Sequence, residues 1–114
     1  MQDPEKLFNY SQRILEYEVK LSNAADALDG LGELLAMAER EVRKVCLEFM
    51  DKTPETRKMS IEKIEILSAI TPQQKETYYG LVYYRQKMRV AEIVLDTHKA
   101  AMYAIKSLKE KGDY

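Results

Sequence analysis

From Leu7 to Phe49 the chain keeps an almost unbroken 3-4-3-4 hydrophobic beat. It runs Leu7, Tyr10, Ile14, Tyr17, Leu21, Ala24, Leu28, Leu31, Leu35, Ala38, Val42, Val45, Phe49, and no charged residue falls on the register. A repeat of seven residues in two steps is a coiled-coil seam, because it holds one narrow stripe toward a partner helix for many turns. Such a stripe cannot be buried alone. The chain must therefore pack a long helix against other long helices, its own or another subunit's.

The 114 residues suffice for one small domain, expected to span 1–114. Few Gly or Pro and no Trp favour long helices over a sheet. A short chain laid out as rods has little core for its surface, so a homo-oligomer is expected. The lone cysteine, Cys46, excludes an intrachain disulfide. The start of the chain lacks a signal-peptide pattern, and no apolar run approaches the roughly 18 residues of a membrane span. A soluble intracellular protein without a membrane partner is the resulting expectation. The net charge of −1 says nothing about partners. Residues 1–50, however, carry ten acidic and six basic side chains, and residues 51–114 nine and twelve. That asymmetry leaves room for a basic face.

Three helices are expected, over about 4–50, 54–69 and 72–109. Asp3-Pro4 supplies an N-cap and a proline at the first helical position. Gly30 and Gly32 lie inside the first helix, each at a cost of about 1 kcal/mol, and mark either a bend or a spot where another backbone comes close. Asp51-Lys52-Thr53-Pro54 ends it, and Thr53-Pro54 reads as the next start. Met59, Ile61, Ile64, Leu67 and Ile70 form an apolar face on the second helix. Thr71-Pro72 repeats the start signal, with Gln74 completing a capping box. The third helix carries the stripe Leu81, Tyr84, Met88, Ala91, Leu95, His98, Met102, Ile105. A second line, Val90, Val94, Thr97, Ala101, Ala104, Leu108, runs beside it. This wider stripe points to packing on two sides, as in a bundle or an assembled ring. The fold class is all-α: two long antiparallel helices with a shorter one between them. Leu21, Leu28, Leu31, Leu35, Val42, Val45 and Phe49 of the first helix are the expected packing and assembly positions, with Met88, Leu95, Met102 and Ile105 of the third.

Nothing marks an enzyme. A glycine-rich phosphate loop, an HExxH motif and a cysteine-histidine cluster are all missing, so no cofactor, metal or catalytic residue is expected. His98 sits on a helix seam and reads as a packed histidine; Cys46, beside Val45 and Leu47, reads as a small core residue. Two clusters stand out. Arg40, Arg43 and Lys44 share a face by their i,i+3 and i,i+4 spacings, although Glu41 and Glu48 also fit a plain solvated surface. Four tyrosines, Tyr78, Tyr79, Tyr83 and Tyr84, precede Arg85, Lys87 and Arg89. Tyrosine faces can stack on unpaired bases while cations follow the phosphates; interface aromatics flanked by surface charge are the alternative. Arg57, Lys58 and Lys63 can add to either patch if the second helix folds back.

Three segments resemble the UvsY-type recombination mediators of tailed phages. Val42-Arg43-Lys44-Val45-Cys46-Leu47-Glu48-Phe49-Met50 resembles the family's apolar-Lys-basic-Leu-acid-aromatic stretch. Ser60-Ile61-Glu62-Lys63-Ile64-Glu65-Ile66-Leu67-Ser68-Ala69 is similar to its short Ser…Lys…Leu-Ser-Ala helix. Leu95-Asp96, followed by Ala101-Met102-Tyr103-Ala104-Ile105-Lys106-Ser107, looks like its ending. The resemblance spans roughly residues 40–107. It implies a non-enzymatic protein that binds single-stranded DNA as a ring-like oligomer. Such a protein helps a RecA-like recombinase replace single-strand-binding protein, in the host cytoplasm if the chain is phage-encoded. Lys44 matches the family's first DNA-contacting basic position. The second is Cys46 here, a departure that Arg43 or Arg40 can offset from neighbouring positions. The expected DNA contacts are Arg40, Arg43, Lys44, Arg57, Lys58, Tyr79, Tyr83, Arg85, Lys87 and Arg89. The alternative is a helical interaction module without DNA binding: an adaptor, an assembly chaperone or an inhibitor of a host factor.

Overall fold

The computed structural model describes residues 3–112, all of them in helices or short connections. Helix α1 spans Pro4–Lys52, a 3₁₀ turn spans Pro54–Lys58, α2 spans Ile61–Ser68 and α3 spans Pro72–Glu110. The all-α class is as expected. The chain divides into two compact units, one of residues 1–29 with 89–114 and one of residues 30–88.

The helix ends follow from local chemistry. The backbone N–H of Glu5 donates to Asp3 Oδ1 at 2.9 Å, which caps α1. Thr71 and Gln74 form the reciprocal capping box of α3: Gln74 N–H donates to Thr71 Oγ1 at 3.1 Å, and Thr71 N–H donates to Gln74 Oε1 at 3.0 Å. α3 stops where Gly112 takes φ 66°, the left-handed conformation that a helix end commonly needs and glycine adopts without strain.

The middle of the chain differs from the single helix expected over 54–69. Pro54 starts only a 3₁₀ turn, and Thr53 makes no side-chain cap. The buried Thr56 hydroxyl donates instead to the Thr53 carbonyl at 2.7 Å, which closes the turn on itself. Met59 and Ser60 are then extended, and Ser60 caps α2 by accepting from Lys63 N–H at 3.3 Å. The buried face of α2 is also rotated. Ile64, Glu65 and Ser68 are buried, whereas Ile61, Leu67 and Ile70 stand exposed. Two polar residues hold this helix down, so its apolar pattern misplaces the face.

In the first unit α1 and α3 run antiparallel. Ile14 shares a groove with Lys106 and Lys109, while Tyr17, farther along α1, meets His98, earlier on α3. The Tyr17 and His98 rings are tilted at 54° with centroids 6.1 Å apart. Ile14, Met102 and Ile105 are buried here.

In the second unit Val42, Cys46, Ile64 and Leu81 form a core shared by α1, α2 and α3. All thirteen positions of the α1 stripe are buried or half-buried, as are all eight of the α3 stripe. Gly32, Glu39 and Cys46, one position past the seam and seven residues apart, are half-buried or buried in succession here, whereas in the first unit Glu18 and Ala25 on the same line are exposed and Ser11 is half-buried. The stripe widens where a third helix must be covered.

Helix α1 passes through Gly30 and Gly32 without a break. A Cβ at Gly30 would meet nothing within 4 Å, and one at Gly32 would sit 3.8 Å from Met88 Cε, an ordinary contact. Both glycines therefore carry a helix cost without a steric need. Gly30→Ala should raise the unfolding free energy by about 0.5–1 kcal/mol. Chemical denaturation measures it, and a loss of stability would mean that the helix bends there in solution.

Candidate nucleic-acid interface

All the residues expected at a nucleic-acid surface lie in the second unit except Arg89, which is exposed on α3 in the first. Arg40, Arg43 and Lys44 are exposed near the end of α1, and Arg57 and Lys58 are exposed on the 3₁₀ turn. Lys44 Nζ lies 3.4 Å from Glu41 Oε1, with both side chains largely in solvent. A pair of that kind contributes about 0.5 kcal/mol or less and leaves the lysine free to exchange partners.

The tyrosines divide. Tyr84 is half-buried, as expected of a seam position, and so is Tyr78, whereas Tyr79 is 64 % and Tyr83 53 % exposed. Tyr83 packs edge-on against Tyr84 at 5.3 Å between centroids, and Lys87 Nζ lies 5.4 Å above the Tyr83 ring. Tyr79, Tyr83 and Lys87 are spaced i, i+4, i+8 and form one outward row. The inner tyrosine holds the outer ring in place, and the ammonium sits over it.

The two clusters do not converge. Val42 and Leu81 point into one core. Arg40 and Lys44 each stand two residues from Val42, about 200° around α1. Tyr79 and Tyr83 stand in the same relation to Leu81 on α3. The cationic pair and the tyrosine row therefore each point away from the shared core, on different helices, while Arg43 borders the cavity lined by α1 and α2.

Arg85 has a partner that the sequence does not foretell. Its guanidinium donates to both oxygens of Glu65, at 3.2 and 3.0 Å. The Glu65 side chain is only 7 % exposed and that of Arg85 44 %. The hydrogen bonds to Glu65 raise the Arg85 pKa above its ordinary value, burial opposes them, and the negative charges of Glu65 and then Glu39 add to the rise. A fork-to-fork pair on a buried carboxylate anchors α2 to α3, fixes the guanidinium in place and neutralises the charge that a phosphate would need.

Beside this pair lies an open cavity of about 340 Å³. Val42, Cys46, Leu47 and Met50 of α1 line one side and Ile61 and Ile64 of α2 the other, with Glu39, Arg43, Glu65 and Arg85 also bordering it. Sequence reading missed both the pair and the cavity. Their signal was slight: a Glu and a Ser at i and i+3 on a short apolar helix. Ser68 Oγ donates to the Glu65 carbonyl at 3.1 Å and lies 3.6 Å from Cys46 Sγ. No buried side-chain nitrogen or oxygen lacks a partner among the described residues. The described residues also contain no group of three or more His, Cys, Asp or Glu able to hold a metal, and no helix long and apolar enough to cross a membrane. Comparison with protein-family models, with curated proteins and with solved structures finds no match.

Proposed function

We propose that this chain is a non-enzymatic recombination accessory protein that binds single-stranded DNA as a homo-oligomer. It assists a RecA-like recombinase in displacing single-strand-binding protein, in the cytoplasm of the host cell if the chain is phage-encoded. The observation that carries the reading is the outward row Tyr79–Tyr83–Lys87. Exposed aromatic faces beside a cation are what a sequence-tolerant single-strand binder needs, because every base has a face to stack and a phosphate to neutralise. Arg40, Arg43 and Lys44 form a second, purely electrostatic surface on α1. The resemblance over residues 40–107 supports the same reading. Weak binding at each surface, multiplied by assembly, suits a chain with a net charge of −1.

The two surfaces have separable signatures. Tyr83→Ala with Lys87→Glu should weaken oligonucleotide binding by about 10–100-fold, as expected when about one base is no longer stacked and one phosphate no longer neutralised. Arg43→Glu with Lys44→Glu should chiefly flatten the salt dependence, by roughly 0.7 for each phosphate left without a cation. Both are read by fluorescence anisotropy, with the oligomer checked by light scattering. Unchanged affinity in both double variants would end the DNA reading.

A second reading rests on the cavity beside Arg85. A concavity of this size, largely apolar and rimmed by the exposed Leu47 and Ile61, suits a protein-interaction module that receives an apolar side chain. Loss of a protein partner without loss of DNA binding in Leu47→Asp would favour it.

A further inference from the structure

In the first unit α3 carries two apolar stripes. The inner one, with Leu95, His98, Met102 and Ile105, is buried or half-buried. The outer one consists of Val90, Val94, Thr97, Ala101, Ala104 and Leu108, in steps of four, three, four, three and four. Ile93, Ala100 and Ser107 lie along its edge. None of these nine positions is charged. Val90 and Ile93 are each 58 % exposed, Val94 41 % and Leu108 39 %. A charge-free heptad face about 27 Å long, exposed except at the half-buried Ala101, is a seam without its partner.

The seam is complementary to itself. Laid antiparallel about a two-fold axis level with Lys99, two copies pair Val90 with Leu108 of the second copy, Val94 with Ala104, and Thr97 with Ala101. Small residues meet at the centre, where the backbones must approach, and larger ones close both ends. Just outside the edge formed by Ile93, Ala100 and Ser107 stand Arg89, Asp96, Tyr103 and Glu110, seven residues apart and all exposed. The antiparallel axis sets Arg89 opposite Glu110 of the second copy, and Asp96 opposite the Tyr103 hydroxyl. A parallel pair offers neither interaction, because its two-fold turns that edge to the far side. The area is also sufficient. The chain exposes 8527 Å², where a compact monomer of 13.3 kDa exposes roughly 6500 Å². The excess exceeds the roughly 800 Å² that a standard interface covers on each partner.

We propose that a second copy of this chain docks antiparallel on the outer stripe of α3 and forms a two-fold dimer. This deepens the assembly half of the proposed function and rests on it; the DNA half plays no part. An isologous interface closes at two copies, so any larger ring must use another surface as well.

Light scattering at roughly 100 µM, well above a micromolar Kd, should give twice the chain mass. Val94→Glu, at a position exposed in the single chain, should reduce it to one chain with helical content unchanged by circular dichroism. Arg89→Glu should weaken dimerisation by about 2–5-fold, and Arg89→Glu with Glu110→Arg should restore it. In a Cys46→Ala background, a mixture of Thr97→Cys and Ala101→Cys chains should form the mixed disulfide, and Thr97→Cys alone should not link to itself. A wild-type mass of one chain, a Val94→Glu dimer, or self-linking by Thr97→Cys would each overturn the proposal. A dimer that ignores oligonucleotide leaves this interface standing and removes the DNA reading; a monomer that binds oligonucleotide does the reverse.

Discussion

Leu81→Ala should lower the unfolding free energy by about 3 kcal/mol, the largest packing loss expected from any single truncation in this chain. Leu81 has no exposed surface and packs into the core formed with Val42, Cys46 and Ile64. Three helices converge on it, so the void left by truncation has no single neighbour free to collapse into it. Truncations of this kind cost about 2–5 kcal/mol, the spread being set by how far the site relaxes. Domains of this size have only about 5–15 kcal/mol to lose, and a melting temperature lower by roughly 10 °C is expected. Ile61→Ala is the internal comparison. Ile61 is 72 % exposed although the apolar pattern of α2 includes it. Its truncation should change stability by less than about 0.5 kcal/mol. Equal losses for the two variants would mean that α2 is seated on a different face.

Arg85→Ala should cost about 2–3 kcal/mol. The loss is not the strength of the pair. Truncation leaves the Glu65 carboxylate buried beside Ile64 and Ser68 with its principal partner gone, and an uncompensated buried charge is what makes such variants unstable. Full burial of both partners would cost more, but the arginine side is partly in solvent and screened. Replacing both residues, as Glu65→Leu with Arg85→Leu, should recover most of the loss, because it removes the stranded charge and the desolvation together. A double-mutant cycle by denaturant titration gives the coupling. Arg85 has a raised pKa, so what it contributes is fully present at every pH below the ordinary arginine range and is lost only above the folded value. On the arginine side the cost should therefore be flat from about pH 6 to pH 10. A double variant as unstable as Arg85→Ala would contradict this account of the pair.

The parts of this molecule that a sequence declares are those governed by period. The 3-4-3-4 stripe from Leu7 to Phe49 and the stripe from Leu81 to Ile105 became the inner faces of α1 and α3, because a long helix averages local irregularities over many turns. Asp3 and the Thr71–Gln74 box marked their helix starts correctly, since caps act within one turn. The middle segment was less legible for the same physical reason. Eight residues of α2 contain too few turns for a moment to emerge, and Glu65 and Ser68 outweigh Ile61 and Leu67 once α1 and α3 supply partners. That choice is tertiary, and nothing in residues 54–69 encodes it locally. The candidate surface was legible by composition alone. Tyr79, Tyr83 and Lys87 do face outward together, but Arg85, two residues away, is turned onto Glu65, a partner 20 residues earlier in the chain. The separate facings of Arg40–Lys44 and Tyr79–Tyr83 required both helices to be placed against a common core.

The central claim, that this helical protein binds single-stranded DNA through exposed tyrosine and cationic surfaces, is tested most directly by a salt-dependent fluorescence-anisotropy titration of the wild-type chain with a labelled oligonucleotide. Binding should be clear at about 50 mM salt and fall with a log–log slope near −3 if Arg40, Arg43, Lys44 and Lys87 contact phosphates, since each neutralised phosphate releases about 0.7 counterion from a single strand. Absence of binding at about 50 mM salt, with the assembly intact by light scattering, would contradict it.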